Sequence, residues 1–388
     1  MKFKKIRIKD FRNIASLEIE PGPRVNVLYG ENAQGKTNFI ETIYALTHGK
    51  SFRFAEPDSL LRQGDSASGF ALVEGLIEKQ KLVHKVQFLL SNEGKKIILN
   101  EKKISGSTLS REFSTVLFSP ESLSVIKNSD KERRDLLDEL IASVFHQKAQ
   151  VIDDFKRVLR QRNKLLKDLK DGVLEINREN VAFLDTLSEK FLQLSTQIVL
   201  LRLAALERMK SNLREALSYV FQSDDVEIAV EYVISGQIFH HQDEKSIYSV
   251  LQNRWHQLKS AEIKSGMSLV GPHKHDIRIL LNEKDARFYC SQGQQRLIIL
   301  AFKMAHIRLH FDVHGVYPIL LLDDVLSEID EKKRMKLIEY LETINAQIFI
   351  TTTEQTVLKY LDSKILTVFE VQNGFMTPAI KREELSVR

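Results

Sequence analysis

The sequence predicts an α/β protein: a phosphate-binding core with an antiparallel β subdomain and an inserted helical arm. Three observations support this. A short β-rich run leads directly into a glycine loop and then a helix-like stretch near the N-terminus. Three alternating apolar runs between residues 71 and 99 read as a meander. Two apolar seams with alternating three- and four-residue spacing follow, before α/β character returns at Ser265.

The elements follow in order. Ile6 and Ile8 alternate with charge, as do Leu17 and Ile19, and residues 25–29 form a short strand. After a polar stretch at residues 57–68 come strands at 71–77, 82–90 and 96–99, separated by polar turns. One seam comprises Ile152, Phe155, Leu159, Arg162, Leu166 and Leu169; the other comprises Leu184, Leu187, Phe191, Leu194, Ile198 and Leu201. Gly172 and the polar residues up to Asn180 lie between them, which predicts two antiparallel helices zipped along the seams. A plain helical domain is the equal alternative, because each seam is short. A buried strand at 319–322, a charged helix at 331–341, a strand at 347–350 and a polar tail at 381–388 complete the chain. The resulting segments are 1–145, 146–260 and 261–388, the first and last forming one core around the arm.

Composition narrows the class. A length of 388 residues favours two or three domains, or one with a large insertion. With 43% hydrophobic and 28% charged residues and few Gly or Pro, the chain is ordinary globular protein rather than disordered. The single cysteine, Cys290, excludes a disulfide framework and a cysteine zinc cluster, and fits a reducing cytosol. No apolar run approaches the roughly 18 residues of a membrane span, and the basic start lacks the apolar stretch of a secretory leader. The net charge of +5, from 57 basic and 52 acidic residues, leans only weakly toward a polyanionic partner.

The residues Gly30-Glu31-Asn32-Ala33-Gln34-Gly35-Lys36-Thr37 match the phosphate-loop pattern, between a strand and a helix as its chemistry requires. Glycines let backbone N–H groups curl around phosphates, and the helix N-terminus adds a favourable dipole. Lys36 is placed for the β/γ-phosphates of ATP and Thr37 for Mg²⁺. The alternative is a chance glycine loop. Asp323 and Asp324 end the aliphatic strand: Asp323 suits the Mg²⁺ side, and Asp324 suits the attacking water. Ser291-Gln292-Gly293-Gln294-Gln295-Arg296, ahead of an apolar run, offers a hydroxyl and free N–H groups at a helix start. Its plain account is a capped helix with Ser291 as N-cap. As a second phosphate surface it implies two subunits, head to tail, each completing the other's site.

With these motifs the chain resembles the RecF family of ABC-type ATPases of DNA maintenance over nearly its whole length. The resemblance rests on Phe11-Arg12-Asn13, the phosphate loop, Ser51-Phe52-Arg53, Phe118-Ser119-Pro120-Glu121, Arg133-Arg134 through Asp138, Gly271-Pro272-His273-Lys274, the Ser291 motif, and Asp323 through Asp330. It implies an ABC-type ATPase head in which Ser291 and Gly293 make signature contacts in trans and Ser327 to Asp330 is a D-loop. It also implies that Arg12 and Asn13 approach the nucleotide. Asp324, one methylene shorter than the glutamate usual there, implies slow, switch-like turnover. Further implications are a cytoplasmic, DNA-stimulated ATPase that closes as a homodimer on single-stranded, duplex or gapped DNA. Its role is recombinational repair of replication gaps, with RecO- and RecR-like partners and no membrane association. The sequence departs from the family pattern at Lys127 to Asp130, Leu136, His275 and Ile329. The alternatives are a tethering ATPase of the SMC/Rad50 kind, a nuclease-coupled OLD-type ATPase and a transporter subunit. The last is disfavoured by Thr351 to Thr353, where transporters carry a switch histidine.

Other residues admit plainer accounts. His273, His275 and Asp276 could suggest a metal site but lack companions at ligand spacing. Cys290 and Trp255 read as packing. Lys2, Lys4, Lys5, Arg7, Lys9 and Arg12 form either a DNA-facing edge or a solvated face of an edge strand. The arm carries Lys156, Arg157, Arg160, Lys164 and Lys167, and Arg162 interrupts its seam either as a DNA contact or as a snorkelling defect.

Overall fold

The computed structural model describes residues 1–53, 56–64, 68–239, 243–355 and 357–379; the expected tail at 381–388 lies outside them. The chain separates into two compact units, one of Met1–Leu123, Tyr219–Gln222 and Arg296–Arg388, the other of Ser124–Ser218 and Ser223–Gln295. These bounds are not those of the three sequence segments. Residues 124–145 and 261–295 group with the helices because long-range ion pairs bind them there: Arg133 to Asp276 at 2.8 Å and Asp138 to Arg202 at 2.9 Å.

The first unit contains a six-stranded sheet in the order Phe375–Pro378, Leu366–Gln372, Val25–Tyr29, Ile348–Thr352, Ile319–Leu322, Thr115–Phe118. All but the first strand run parallel. Parallel strands are covered on both faces, so they read as unbroken hydrophobic runs; Ile319–Leu322 is buried at every position. In register, Tyr29 faces Thr352 and Leu322 faces Ile350. The loops after these three strands therefore open at one end of the sheet, the usual place for a ligand in an α/β fold.

The expected meander forms as Phe70–Lys79, Leu82–Ser91 and Gly94–Leu99, and the N-terminal hairpin of Lys2–Phe11 and Ile14–Ile19 extends it. Lys2–Phe11 lies between two strands, so it is not an edge. Its cations are matched in register: Arg7 stands opposite both Glu18 and Glu74, Lys4 pairs with Glu78 at 2.6 Å, and Lys5 pairs with Glu18. Such cross-strand pairs serve the sheet and reduce its positive field. The helix Lys36–His48 buries Phe39, Ile40, Ile43 and Leu46 in one core cluster shared with both sheets.

In the second unit, the two expected helices are Gln150–Lys170 and Arg178–Phe221, the latter 44 residues long. A third helix, Glu244–Ser265, joins them. Leu165, Leu166, Leu169 and Leu184 pack together with Ile263 from this third helix. The seams thus belong to a three-helix arrangement rather than a two-helix zipper. Arg162 is fully buried; it pairs with Glu262 at 2.5 Å and hydrogen-bonds Ser188 and Ser268 at 3.0 and 2.7 Å. It is neither a DNA contact nor a snorkelling defect, because a buried guanidinium requires this full set of partners. A four-stranded antiparallel sheet, Gln237–Ile238, Ile228–Ile234, Asp276–Leu281, Lys284–Asp285, is also present and was not expected. Among the described residues no helix is long and apolar enough to cross a membrane.

Candidate nucleotide site

The strand Val25–Tyr29 is buried up to Tyr29 and delivers the phosphate loop at its carboxyl end. Gly30 is required by a close approach: a Cβ there would lie 2.3 Å from the Val371 carbonyl oxygen of the adjacent strand. Gly35 has φ +110°, a conformation for glycine, and a Cβ there would also meet the Asn13 side chain at 2.8 Å. Gln34 anchors the loop from outside, its carbonyl accepting from Gly374 N at 2.8 Å and from Asn13 Nδ2 at 3.2 Å. Asn13 thus lies against the loop, and its Oδ1 accepts from Asn38 at 2.8 Å. Glu31 and Asn32 are exposed.

Lys36 is buried, and its Nζ donates to the Gly30 and Glu31 carbonyls, each at 2.7 Å. Burial lowers its pKa from the ordinary lysine value, with Asp324 and Asp323 pulling the other way. Thr37 Oγ1 donates to Asp323 Oδ1 at 2.8 Å, and Thr351 Oγ1 donates to the same oxygen at 2.9 Å. Burial holds the Asp323 carboxyl above the usual range, although both hydroxyls favour its charged form. Thr351 Oγ1 in turn accepts from Asp324 N at 2.8 Å. Asp324 has φ +51°, and Ser327 Oγ donates to its carbonyl at 2.8 Å and to its Oδ1 at 3.1 Å. Thr351 therefore joins the two aspartates, a role that its place on the strand did not reveal.

These donors suit Mg²⁺, a hard ion that takes oxygen ligands. The 2.8 Å between Thr37 Oγ1 and Asp323 Oδ1 is close to the roughly 3 Å between neighbouring ligands of an octahedral ion with bonds of about 2.1 Å.

Arg12 has φ +54° and is committed elsewhere. Its Nε and NH2 each lie 3.0 Å from a carboxylate oxygen of Glu41, and NH1 donates to Ser59 O at 2.8 Å. Ser51 Oγ also donates to Glu41 Oε1. The Phe11-Arg12-Asn13 and Ser51-Phe52-Arg53 motifs thus meet on one fully buried carboxylate. Sequence reasoning missed Glu41, though an acid between Ile40 and Ile43 on an apolar helix face was a usable signal. Arg53 is exposed; its NH1 lies 3.3 Å from Asn38 Oδ1, and its charge favours the ionised form of Asp323.

Ser291 and Gly293 belong to the second unit and the phosphate loop to the first. Ser291 Oγ accepts from Gln294 N at 3.2 Å, while Gln294 Oε1 accepts from Ser291 N at 2.9 Å. This is a reciprocal capping box. Ser291 is thus an N-cap, and its hydroxyl proton remains available. Residues 291–294 are all exposed. A Cβ on Gly293 would meet nothing nearer than Ser291 Oγ at 3.9 Å. At the first-unit end of the motif, Arg296 pairs with Glu328 at 2.7 Å, tying the helix Gln292–His314 to the short turn Leu326–Glu328.

His273 and His275 are packing residues. His273 Nε2 donates to Ser268 O at 3.2 Å beside Phe155 and Phe191, and burial takes its pKa down to about 4. His275 is buried against Tyr232, 2.9 Å from its hydroxyl. Partial burial raises the Cys290 thiol pKa, which suits packing rather than reactivity.

The profile described as the RecF/RecN/SMC N terminal domain matches residues 2–377. The DNA replication and repair protein RecF of Lactobacillus johnsonii is 33% identical over 372 residues, covering 95% of this chain and 96% of its own. That of Bacillus subtilis is 32% identical over 380 residues, covering 96% and 99%. A solved structure of the recombination mediator protein RecF with ATP, in the RecFOR pathway, superposes with a TM-score of 0.85 at 30% identity, covering 97% of each chain. The Smc head domain from Pyrococcus furiosus shares the fold, with a TM-score of 0.56 at 16% identity over 99% of this chain and 97% of its own.

Proposed function

The chain belongs to the RecF/RecN/SMC N-terminal domain family, among its RecF members of DNA replication and repair, and from that premise we propose that it is a slow ATP switch. ATP and Mg²⁺ close a head-to-tail homodimer on DNA, and hydrolysis reopens it. The observation that carries this is the meeting of Lys36, Thr37, Asp323 and Asp324 at the carboxyl ends of neighbouring parallel strands.

Lys36 bridges two loop carbonyls and exchanges them for the β/γ-phosphates. Thr37 and Asp323 hold Mg²⁺, which when bound offsets charge on the β- and γ-oxygens. Asp324, fixed through Thr351 and Ser327, orients the attacking water. Asn13 and the loop amides steady the phosphates. Arg12 acts at one remove, as the brace of the buried Glu41 on the helix that follows the loop. The open space around Gly293 suits close approach by another molecule, which supports the trans arrangement. The exposed Ser291 proton is free to meet the γ-phosphate held by the other subunit.

DNA is held mainly through phosphates. Lys156, Arg160, Lys164 and Lys167 are exposed at spacings of four, four and three along Gln150–Lys170, one helix face. Affinity should fall steeply with salt, and each removed cation should reduce the salt slope by about 1. RecO- and RecR-like partners accord with the RecFOR pathway named for the solved RecF; cytoplasmic location, stimulation by DNA and a role at gaps extend the family resemblance.

The test is light-scattering mass together with DNA anisotropy, in Mg²⁺ with ATP or a non-hydrolysable analogue, on single-stranded, duplex and gapped DNA. Doubling of mass and tighter DNA binding are expected, both lost in Lys36→Ala and Ser291→Arg. Mass and DNA affinity indifferent to nucleotide would sink the clamp. Turnover well above ~10 per second, a typical enzyme median, would sink the switch.

A further inference from the structure

The turn that leads into Ser291 presents two aromatic rings to solvent. Phe288 is 76% exposed, the most of any large hydrophobic among the described residues, and Tyr289 is 70% exposed. Exposed apolar residues are common singly, but adjacent large aromatics on a rigid support mark an interaction surface.

The support is rigid. Asp285 Oδ1 accepts from Arg287 N at 3.0 Å, capping the short helix Ala286–Tyr289. The Arg287 guanidinium reaches Asp285 at 2.7 Å and Asp276 at 3.1 Å, and lies 5.4 Å from the centre of the Phe288 ring. Asp276 is itself held by Arg133 at 2.8 and 2.9 Å. From the other side, Gln295 Nε2 donates to Ala286 O at 2.8 Å and to Cys290 O at 3.2 Å. Three ion pairs and a buried amide thus fix the backbone that carries the rings. Such preorganisation lets a surface bind without the cost of ordering itself.

We propose that Phe288 and Tyr289 are the aromatic anchor by which the signature face docks on a second copy of this chain. The inference rests on the head-to-tail reading above. It adds that closure depends on an apolar contact beside the nucleotide and not on the phosphate contact alone. The occupant follows from continuity: Phe288 and Tyr289 run into exposed residues 291–294, the stretch that meets the other subunit in that reading. Area agrees. Two aromatics offer on the order of 300–400 Å², approaching half of the ~800 Å² that each partner contributes to a standard interface. Ser291 then makes closure depend on nucleotide, and the rings supply the apolar part of the grip.

The experiment compares wild type, Phe288→Ala/Tyr289→Ala and Phe288→Tyr/Tyr289→Phe by sedimentation velocity across protein concentration, with Mg²⁺ and a non-hydrolysable ATP analogue. Analogue affinity is measured separately on dilute monomer, and folding by thermal melt. The alanine pair should weaken the analogue-bound dimer about a hundredfold, with monomer analogue affinity and melting unchanged, while the conservative pair stays within a few-fold of wild type. Equal dimerisation of wild type and the alanine pair overturns the anchor and leaves the clamp standing. DNA anisotropy on the same variants adds one more outcome: loss of DNA binding with dimerisation intact overturns the anchor and assigns the rings to bases instead. A wild type that never dimerises with analogue overturns the head-to-tail reading, and the anchor with it.

Discussion

Gly30 and Gly293 open the chain's two proposed phosphate surfaces, and they are glycine for opposite reasons. At Gly30 the chain's own backbone leaves no room, with Val371 O 2.3 Å from any Cβ. At Gly293 there is room within the chain, and in the reading proposed above the constraint comes from the other subunit. The same contrast runs through the neighbours. Lys36 and Asp323 are buried, and with the half-buried Thr37 they are engaged with their own fold. Ser291 to Gln294 are braced from behind and face solvent. One region is a finished pocket. The other, in the reading proposed above, is half of a site that a second subunit completes.

Perturbing each region separately should expose this difference. The largest effect is expected for Lys36→Ala, with hydrolysis reduced about a thousandfold or more, the range for losing a preorganised donor, and with nucleotide binding lost in the monomer as well. Equilibrium binding to dilute protein checks this, and near-normal affinity would contradict the pocket. Next, Ser291→Arg should cut hydrolysis about a hundredfold while leaving monomer affinity within about twofold; parallel loss of both would merge the two regions into one. A smaller effect separates the glycines. Gly30→Ala should cost about 1–3 kcal/mol of stability through overpacking against backbone. Gly293→Ala should leave the melting temperature unchanged or slightly raised, since Ala favours helix, and weaken only the analogue-bound dimer, about tenfold. Equal destabilisation by both would erase the contrast.

A different kind of effect, on stability with pH, is shared by both units. Burial lowers the pKa of His48 and His306 in the first unit to about 3, and of His273 in the second to about 4. The unfolded chain takes up these protons near pH 6.5, so it binds more protons than the native state below that pH. The stabilisation is complete above about pH 6.5 and is lost as pH falls toward 4 and then 3. Urea unfolding should show a lower midpoint at pH 5.0 than at pH 7.5. An unchanged midpoint would mean these histidines do not titrate on unfolding.

The pocket was more readable from sequence than the half-site's support. Gly30 to Thr37 between a strand and a helix, and Asp323 after four aliphatic residues, are patterns written over a few neighbouring positions. Run length and glycine spacing encode them directly. Ser291 as N-cap was equally local, with Gln294 three residues on. Arg12 was different: its motif was seen, but its partner Glu41 was not, and the side chain braces a helix instead of reaching toward nucleotide. The basic strand misled for a related reason. Lys4, Lys5 and Arg7 look like a cationic edge until strand pairing sets Glu78, Glu18 and Glu74 beside them.

Residue order along the chain was therefore enough to set the strand–loop–helix of the nucleotide core, the carboxylates at a strand end, the capped helix and the helical character of the arm. Each depends on contacts within a turn or two of backbone. Folding in three dimensions chose the partners: Thr351 between the two aspartates, the small sheet joining Ile228–Ile234 to Asp276–Leu281, and the brace behind Phe288 and Tyr289. Arg162 shows why. By itself it reads the same whether it ends in water or in a core. Glu262, 100 residues later in the chain, takes it into the core, because a guanidinium can leave water only where other groups replace that water's hydrogen bonds and balance its charge.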